Sequence, residues 1–163
     1  DVVRETLAET SFAPEYLVLE LTESSLMTNL EESVETLRQL ADLGVCIAID
    51  DFGTGYSSLA YLKQLPVHRL KIDQSFVRDI SATNVDRGII EAIVGLADKL
   101  GMSVVAEGVE TVEQFDALIS LGCRWFQGYH FSRPLADADA QKLFPRLFDL
   151  PPSRWIPSAA LVS

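Results

Sequence analysis

The chain has 163 residues, the size of one domain or of part of a larger one. Hydrophobic residues make up 48% and charged residues 23%, which excludes a disordered acidic chain; 13 Lys and Arg against 24 Asp and Glu leave a net charge of −11. That balance excludes a general nucleic-acid (DNA) binder, which needs a basic face for phosphates, but it admits one small anionic ligand where a carboxylate-bound metal supplies local positive charge. No run of about 18 apolar residues marks a transmembrane helix. The opening residues 1–10 lack the basic end and apolar stretch of a signal peptide. Cys46 and Cys123 have neither metal-ligand spacing nor a disulfide framework, and both stand among apolar residues. They read as buried thiols in a reducing, cytoplasmic compartment.

Residues 16–22 are short, apolar and β-rich, and predict a buried strand. Asn29 reads as an N-cap with Glu32 three positions on, opening a helix with Val34, Leu37, Leu40 and Ala41 on one face and Gly44 as its stop. Residues 45–49 predict the next strand. A Gly-rich loop and a short helical stretch through Leu59, Leu62 and Leu65 lead to a strand over 67–72. The longest helical pattern runs from Asn84 to Gly101, with Ile89, Ile90, Ile93, Val94, Ala97 and Leu100 inward. Residues 102–106 predict a strand. Thr111 and Gln114 form a capping box for a helix carrying Phe115, Leu118 and Ile119 and ending at Gly122. Residues 124–126 predict a short strand and 137–148 the last helix, before a Pro-rich tail without periodicity. About five strands, each followed by helix, predict an α/β fold with a parallel sheet, right-handed crossovers and both sheet faces covered.

The strands carry polar groups where they end: Glu20 and Glu23, then Asp50 and Asp51, Lys71 and Asp73, Glu107 and Glu110, and finally Gln127. Ligands of parallel α/β folds bind at that end, and in a barrel these groups converge on one mouth. Single carboxylates there often only cap helices, but five strands ending alike favour a site. Clustered carboxylates repel and need a cation, and hard divalent ions, Mg²⁺ or Mn²⁺, fit oxygen ligands better than zinc does. Adjacent Asp50 and Asp51 match the layout of two-metal phosphoester hydrolysis. Lys71, between Leu70 and Ile72, reads as inward. His68 and His130 read as structural or solvent-facing. Phe12, Phe52, Phe76, Phe115, Trp125 and Phe126 read mostly as core, and Phe131 as lying near the mouth.

Glu20-Leu-Thr-Glu23, Asp50-Asp-Phe-Gly-Thr-Gly55, Leu70-Lys-Ile-Asp73, Val105-Ala-Glu-Gly-Val-Glu110 and Gln127-Gly-Tyr129 resemble the ordered motifs of EAL domains, bacterial phosphodiesterases of the second messenger cyclic di-GMP. The resemblance runs over about residues 1–148. It implies a modified TIM (β/α)8 barrel, of which this chain supplies about the last five βα units, and hydrolysis of cyclic di-GMP to linear pGpG with two metal ions, Mg²⁺ or Mn²⁺. By the same resemblance Glu20 and Asp50 ligate the first metal, and Asp50 bridges to a second held by Asp51 and Glu107. Lys71 holds and helps activate the attacking water or the phosphate, and Gln127 positions water or ligand. Glu23 anchors the loop over residues 50–58, and the segment from Phe131 to Pro134 borders a guanine base. The resemblance also implies a homodimer and sensor, receiver or cyclase domains in a parent protein.

The Glu-Ala-Leu string that names the family does not occur in the chain, and no upstream Asn ligand is found. The expectation is therefore that residues 1–150 are a partial EAL domain lacking roughly the first three strands, followed by a tail over 151–163, and that the isolated piece is weakly active or inactive. Two other readings compete: a receptor that binds cyclic di-GMP without cleaving it, and a regulatory or oligomerisation piece. An unrelated TIM-barrel metal enzyme, such as an enolising lyase, also places carboxylates and Lys at strand ends, and only the Asp50–Gly55 string weighs against it.

Overall fold

The computed structural model describes residues 2–26, 30–55, 59–81 and 84–148. Five strands form one parallel sheet in sequential order: β1 (Val18–Thr22), β2 (Cys46–Phe52), β3 (Arg69–Ile72), β4 (Ser103–Ala106) and β5 (Trp125–Phe126). Helix α1 (Val2–Thr10) precedes β1; α2 (Glu23–Leu26) and α3 (Leu30–Asp42) connect β1 to β2; and α4 (Leu59–Leu62) connects β2 to β3. After β3 come α5 (Gln74–Arg78) and α6 (Asn84–Leu100), then α7 (Val112–Ser120) after β4 and α8 (Asp137–Phe148) after β5. Sequential parallel order with a helix at every crossover is the arrangement of a (β/α) barrel wall, here five strands wide.

Period-2 alternation sorts the strand side chains onto two faces. Ile47, Ile49, Leu70, Ile72, Val104 and Ala106 pack with Leu37, Ile90, Ile93, Ala97 and Leu118 of the helices to make the core. The other face carries Glu20, Ala48, Asp50, Arg69, Lys71, Ser103, Val105 and Trp125. The helix-side face is uniformly apolar, whereas the other face mixes charged and apolar residues, of which Ala48, Lys71 and Val105 are buried. Arg69 lies on the far side, its guanidinium carbon 5.8 Å from the Trp125 ring centroid and its Nε donating to Ser103 Oγ at 3.3 Å.

The predicted helix stops Gly44, Gly101 and Gly122 all have left-handed φ, +89°, +70° and +91°. The Thr111–Gln114 capping box is formed. Asn29 and the end of the loop over 50–58 fall outside the described residues, as does the tail over 151–163. Several patterns came out differently. Residues 14–16 form a 3₁₀ turn because Pro14 opens it, so β1 begins at Val18. Strand β2 continues through the acidic pair to Phe52, and Asp73 caps the short helix α5, which lacks a periodic signal at five residues. Phe12 is exposed, in edge contact with Tyr16, and Leu59 and Ile119 face outward.

Cys123 is buried as expected, but Cys46 is only half-buried. Burial pushes the Cys123 thiol up to about 11. At pH 8 about one Cys123 in a thousand is thiolate. Iodoacetamide at that pH should therefore label Cys46 in the folded chain and leave Cys123 unmodified, and both should react in guanidinium, as mass spectrometry of tryptic peptides would read.

Candidate active site

Lys71 joins the strand ends. Its Nζ lies 2.6 Å from Glu20 Oε2, 3.0 Å from Asp50 Oδ1 and 2.8 Å from Glu107 Oε1, and only 6% of its side chain is exposed. The register explains how one ammonium reaches all three. Glu20 stands in the row of Ala48, Arg69 and Ser103; Lys71 is one inward-facing row further on, level with Val105; Glu107 is one row further still. Asp50, two residues past Ala48, comes level with Lys71, so the ammonium takes carboxylates from below, beside and above. Burial works against its charge, but the bonds to Glu107, Glu20 and Asp50 outweigh that and hold it well above the ordinary lysine range. Glu107 is raised by burial and by the charges of Asp50 and Glu20, against the opposing pull of Lys71.

Asp50 and Asp51 are neighbours in a strand, so regular pleating would send them to opposite faces. A bulge prevents this. The β2–β3 register runs Ile49 to Leu70 and then Phe52 to Ile72, three residues on one strand against two on the other. Asp51 takes up the extra residue at φ +53°, a left-handed conformation that aspartate tolerates better than most residues. Both carboxylates then turn to the same side, and one ligand oxygen each from Asp50, Asp51 and Glu107 lie within 4.8 Å of one another.

Asp51 also meets Asp73. Burial, Asp50 and Asp73 together raise the Asp51 carboxyl above its usual range. Asp73 is lowered, because Ser75 donates from both its N–H (3.0 Å) and its hydroxyl and outweighs the burial. A cavity of about 270 Å³ opens beside these groups, lined by Asp51, Asp73, Gln74, Glu107, Gly108, Glu110, Gln127, Gly128 and Tyr129. Its floor is set by Gly128, where any Cβ would overlap the Val109 backbone.

Glu23 is buried at 4% exposure, and its Oε2 accepts from Gly53 N at 3.1 Å. Its Oε1 has no hydrogen-bond partner and lies against Gly55, where a Cβ would come within 2.8 Å. This one carboxylate thus touches Gly53 and Gly55 of the loop after β2. Of the other expected site residues, Glu20, Asp50, Asp51, Lys71, Glu107 and Gln127 come together. Phe131 and Pro134 are exposed and do not line the cavity. Phe131 packs edge-on against Phe115 at 5.6 Å and His130 at 5.1 Å, while Tyr129, under the Arg133 guanidinium, lines the cavity instead. Sequence reading left Gln74 and Tyr129 without a role. Asp73 was flagged only as a strand end, although its place two residues after Lys71 was a usable signal.

The donors facing one another, Asp50, Asp51 and Glu107, are all carboxylate oxygens, drawn from the ends of β2 and β4, with the cationic Lys71 beside them. That set fits a hard divalent ion, whose charge would offset the burial and the neighbouring Asp50 and Asp73 carboxylates that raise Asp51. The fold and site define a parallel α/β barrel wall bearing an acidic, metal-type centre at the carboxyl ends of its strands.

The chain belongs to the EAL domain family, whose model matches residues 1–134. It is 50% identical over 135 residues to the cyclic di-GMP phosphodiesterase NbdA of Pseudomonas aeruginosa, a match covering 83% of this chain and 17% of that protein. The chain spans less than a quarter of the length of the curated relatives it matches first. Among solved structures, the Pseudomonas aeruginosa MucR phosphodiesterase in complex with c-di-GMP superposes with a TM-score of 0.81 at 46% identity, over 85% of this chain and 56% of that one. Klebsiella pneumoniae BlrP1, in a manganese and cyclic di-GMP complex, superposes at 0.77 with 38% identity, over 82% of this chain and 34% of that one. Manganese and calcium complexes of BlrP1 show that relatives of this chain bind divalent metal.

The Asp51 charge has a measurable consequence. Because its folded carboxyl is raised, the folded chain binds more protons than the unfolded one between the ordinary carboxylate pKa and the raised one, and stability falls as pH rises through that window. Asp51→Asn keeps the left-handed tolerance and removes the charge. It should melt above the parent at pH 7.5 and level with it at pH 3.5, by circular dichroism in EDTA; saturating Mn²⁺ should remove the advantage at pH 7.5.

Proposed function

We propose that this chain is part of a metal-dependent phosphodiesterase that hydrolyses cyclic di-GMP to linear pGpG. The observation that carries the reading is Lys71 bonded to Glu20, Asp50 and Glu107 beside the Asp50–Asp51–Glu107 oxygen cluster, in a chain with these relatives. We take residues 1–150 as the carboxyl-terminal part of the barrel, with the tail over 151–163 outside it. This is supported by the five-strand sheet and by the share of the MucR phosphodiesterase chain that the match covers. Homodimerisation and a cytoplasmic location are part of the same proposal. No helix among the described residues is long and apolar enough to cross a membrane.

Asp50, Asp51 and Glu107 would hold Mg²⁺ or Mn²⁺, with Glu20 contributing from β1. The ions supply Lewis acidity and neutralise phosphodiester charge when bound. Lys71, kept cationic by three carboxylates, orients the phosphate or the attacking water and stabilises negative charge that builds on phosphate oxygens. Glu107, raised by burial, accepts a proton from the water more readily than an ordinary surface carboxylate. Gln127 lines the cavity and offers an amide to water or phosphate. Glu23 keeps the loop after β2 against the site through Gly53 N.

The test follows pGpG by chromatography with Mg²⁺ or Mn²⁺, using this chain beside a version extended on its amino-terminal side to the length of the MucR phosphodiesterase domain. The extended protein should produce pGpG, and Asp50→Ala or Lys71→Met should lower kcat by at least about 10²-fold. The chain alone should be at least about tenfold slower, since β1 pairs only with β2 among the described residues. Binding of cyclic di-GMP without product in the extended protein would replace hydrolysis with a receptor role.

A further inference from the structure

We propose that Gln114 is a positioning residue that sets the width of the acidic cavity by tying α5 to the loop between β4 and α7. This rests on the functional reading above and assigns a role to a residue outside the carboxylate cluster.

Gln114 is buried at 8% exposure in a turn of α7 where Val112 is 54% exposed. Its Oε1 accepts from Glu110 N at 2.8 Å and Thr111 N at 3.0 Å, and its own N–H donates to Thr111 Oγ1 at 3.2 Å. These bonds are a capping box and would suit any helix start. The remaining bond is different. Gln114 Nε2 donates to Arg78 O at 3.3 Å, and Arg78 is the last residue of α5, whose terminal carbonyls lack partners in their own helix.

Helix α5 begins at the site. Asp73 is its N-cap, and Gln74 approaches Gly108 so closely that a Cβ there would lie 2.5 Å from Gln74 Cβ. The helix is therefore met at both ends by the segment from Gly108 to Gln114: Gln74 packs on Gly108 of the loop at the start, and Arg78 O accepts from Gln114 in the first turn of α7 at the end. The two walls of the cavity are Asp73–Gln74 on one side and Glu107–Glu110 on the other. Backbone bonds fix the second wall, through Glu107 N to Ile72 O at 3.2 Å and Val109 N to Gln127 O at 3.1 Å. The Gln114 amide adds a side-chain bond from the second wall's flank to the far end of α5, which carries the first wall.

Gln114→Glu separates the two roles. A glutamate still accepts from Glu110 N and Thr111 N, so the capping box survives, but it has no N–H for Arg78 O and sets a carboxylate against that carbonyl. In the polypeptide used for the hydrolysis assay, Gln114→Glu should keep its melting temperature within a few degrees of the parent. It should weaken Mn²⁺ binding about tenfold, read by electron paramagnetic resonance without substrate, and lower kcat more than it raises KM. Gln114→Ala loses cap and link together and should fail in both melting temperature and Mn²⁺ affinity. Should Gln114→Glu not fold, Thr111→Ala gives the comparison from the other side: it removes the Thr111 Oγ1 half of the cap and leaves the link to Arg78 O, so it should lower the melting temperature and leave Mn²⁺ affinity unchanged, and a tenfold loss of Mn²⁺ affinity there would overturn the proposal. Unchanged Mn²⁺ affinity in a folded Gln114→Glu protein would overturn the proposal. A parent that takes up no Mn²⁺ would overturn the functional reading and this role with it. A parent that binds Mn²⁺ without making pGpG would overturn the activity alone, and the Mn²⁺ comparison would still decide Gln114.

Discussion

The site depends on one buried ammonium. Three carboxylates on three different strands converge at the carboxyl end of the sheet, and without a cation among them each would raise the others' cost of ionisation. Lys71 meets all three from β3, the middle strand of the five. Because Glu20, Asp50 and Glu107 lie at successive levels of the sheet, a compact ammonium with three tetrahedral donors suits the position better than a bulkier, planar guanidinium. The same bonds keep the lysine charged despite burial. An ammonium so placed does two things at once. It lets acidic strand ends pack together, and it holds their oxygens facing one point at the carboxyl end of the sheet.

The second constraint is the bulge at Asp50–Asp51. A regular strand offers one carboxylate per two residues to a given face, which would give the site a single ligand from β2. Inserting one residue, with Asp51 at positive φ, doubles the number of oxygens that β2 delivers. The backbone strain is small for aspartate, but the electrostatic cost is not: Asp51 ends up facing both Asp50 and Asp73 and is raised. On the proposed function, that cost at one residue, beside a well-satisfied Asp73, is offset when a divalent cation binds.

Much of this was legible in the sequence because the physics involved is local. Gly44, Gly101 and Gly122 announce helix ends through the left-handed φ they adopt, and Thr111 with Gln114 announces a helix start. Apolar runs ending in acid predicted where the site lies, since parallel strands bring their ends together whatever the details of packing. What escaped was non-local. Short α5 has no period to detect, and the bulge depends on the β2–β3 pairing rather than on β2 alone. Phe131 was expected near the mouth, yet three residues past Gly128 it packs edge-on against Phe115 and His130, on the apolar side. Arg69 illustrates the reverse case: alternation assigns it to Lys71's face, but only the Trp125 ring across two strand pairings explains what it rests on there.

The overall charge fits this picture. A chain at −11 repels a dinucleotide carrying two phosphodiester charges, and the cavity walls are more acidic than the surface at large. The cavity lining carries four carboxylates and no basic side chain, and the Lys71 ammonium beside it is already shared among three carboxylates. On the proposed function, cations must therefore be in place before the phosphates arrive. The geometry of the empty-handed site then matters as much as its composition, because the ligand oxygens have to be held apart at the right span against their own repulsion. Neutral backbone and amide contacts do that holding: Glu107 N on Ile72 O, Val109 N on Gln127 O, and the Gln114 amide between the α7 cap and the end of α5. A charged group in their place would add to the field that the cations have to balance, so uncharged donors and acceptors are the chemistry expected of the frame around an acidic centre.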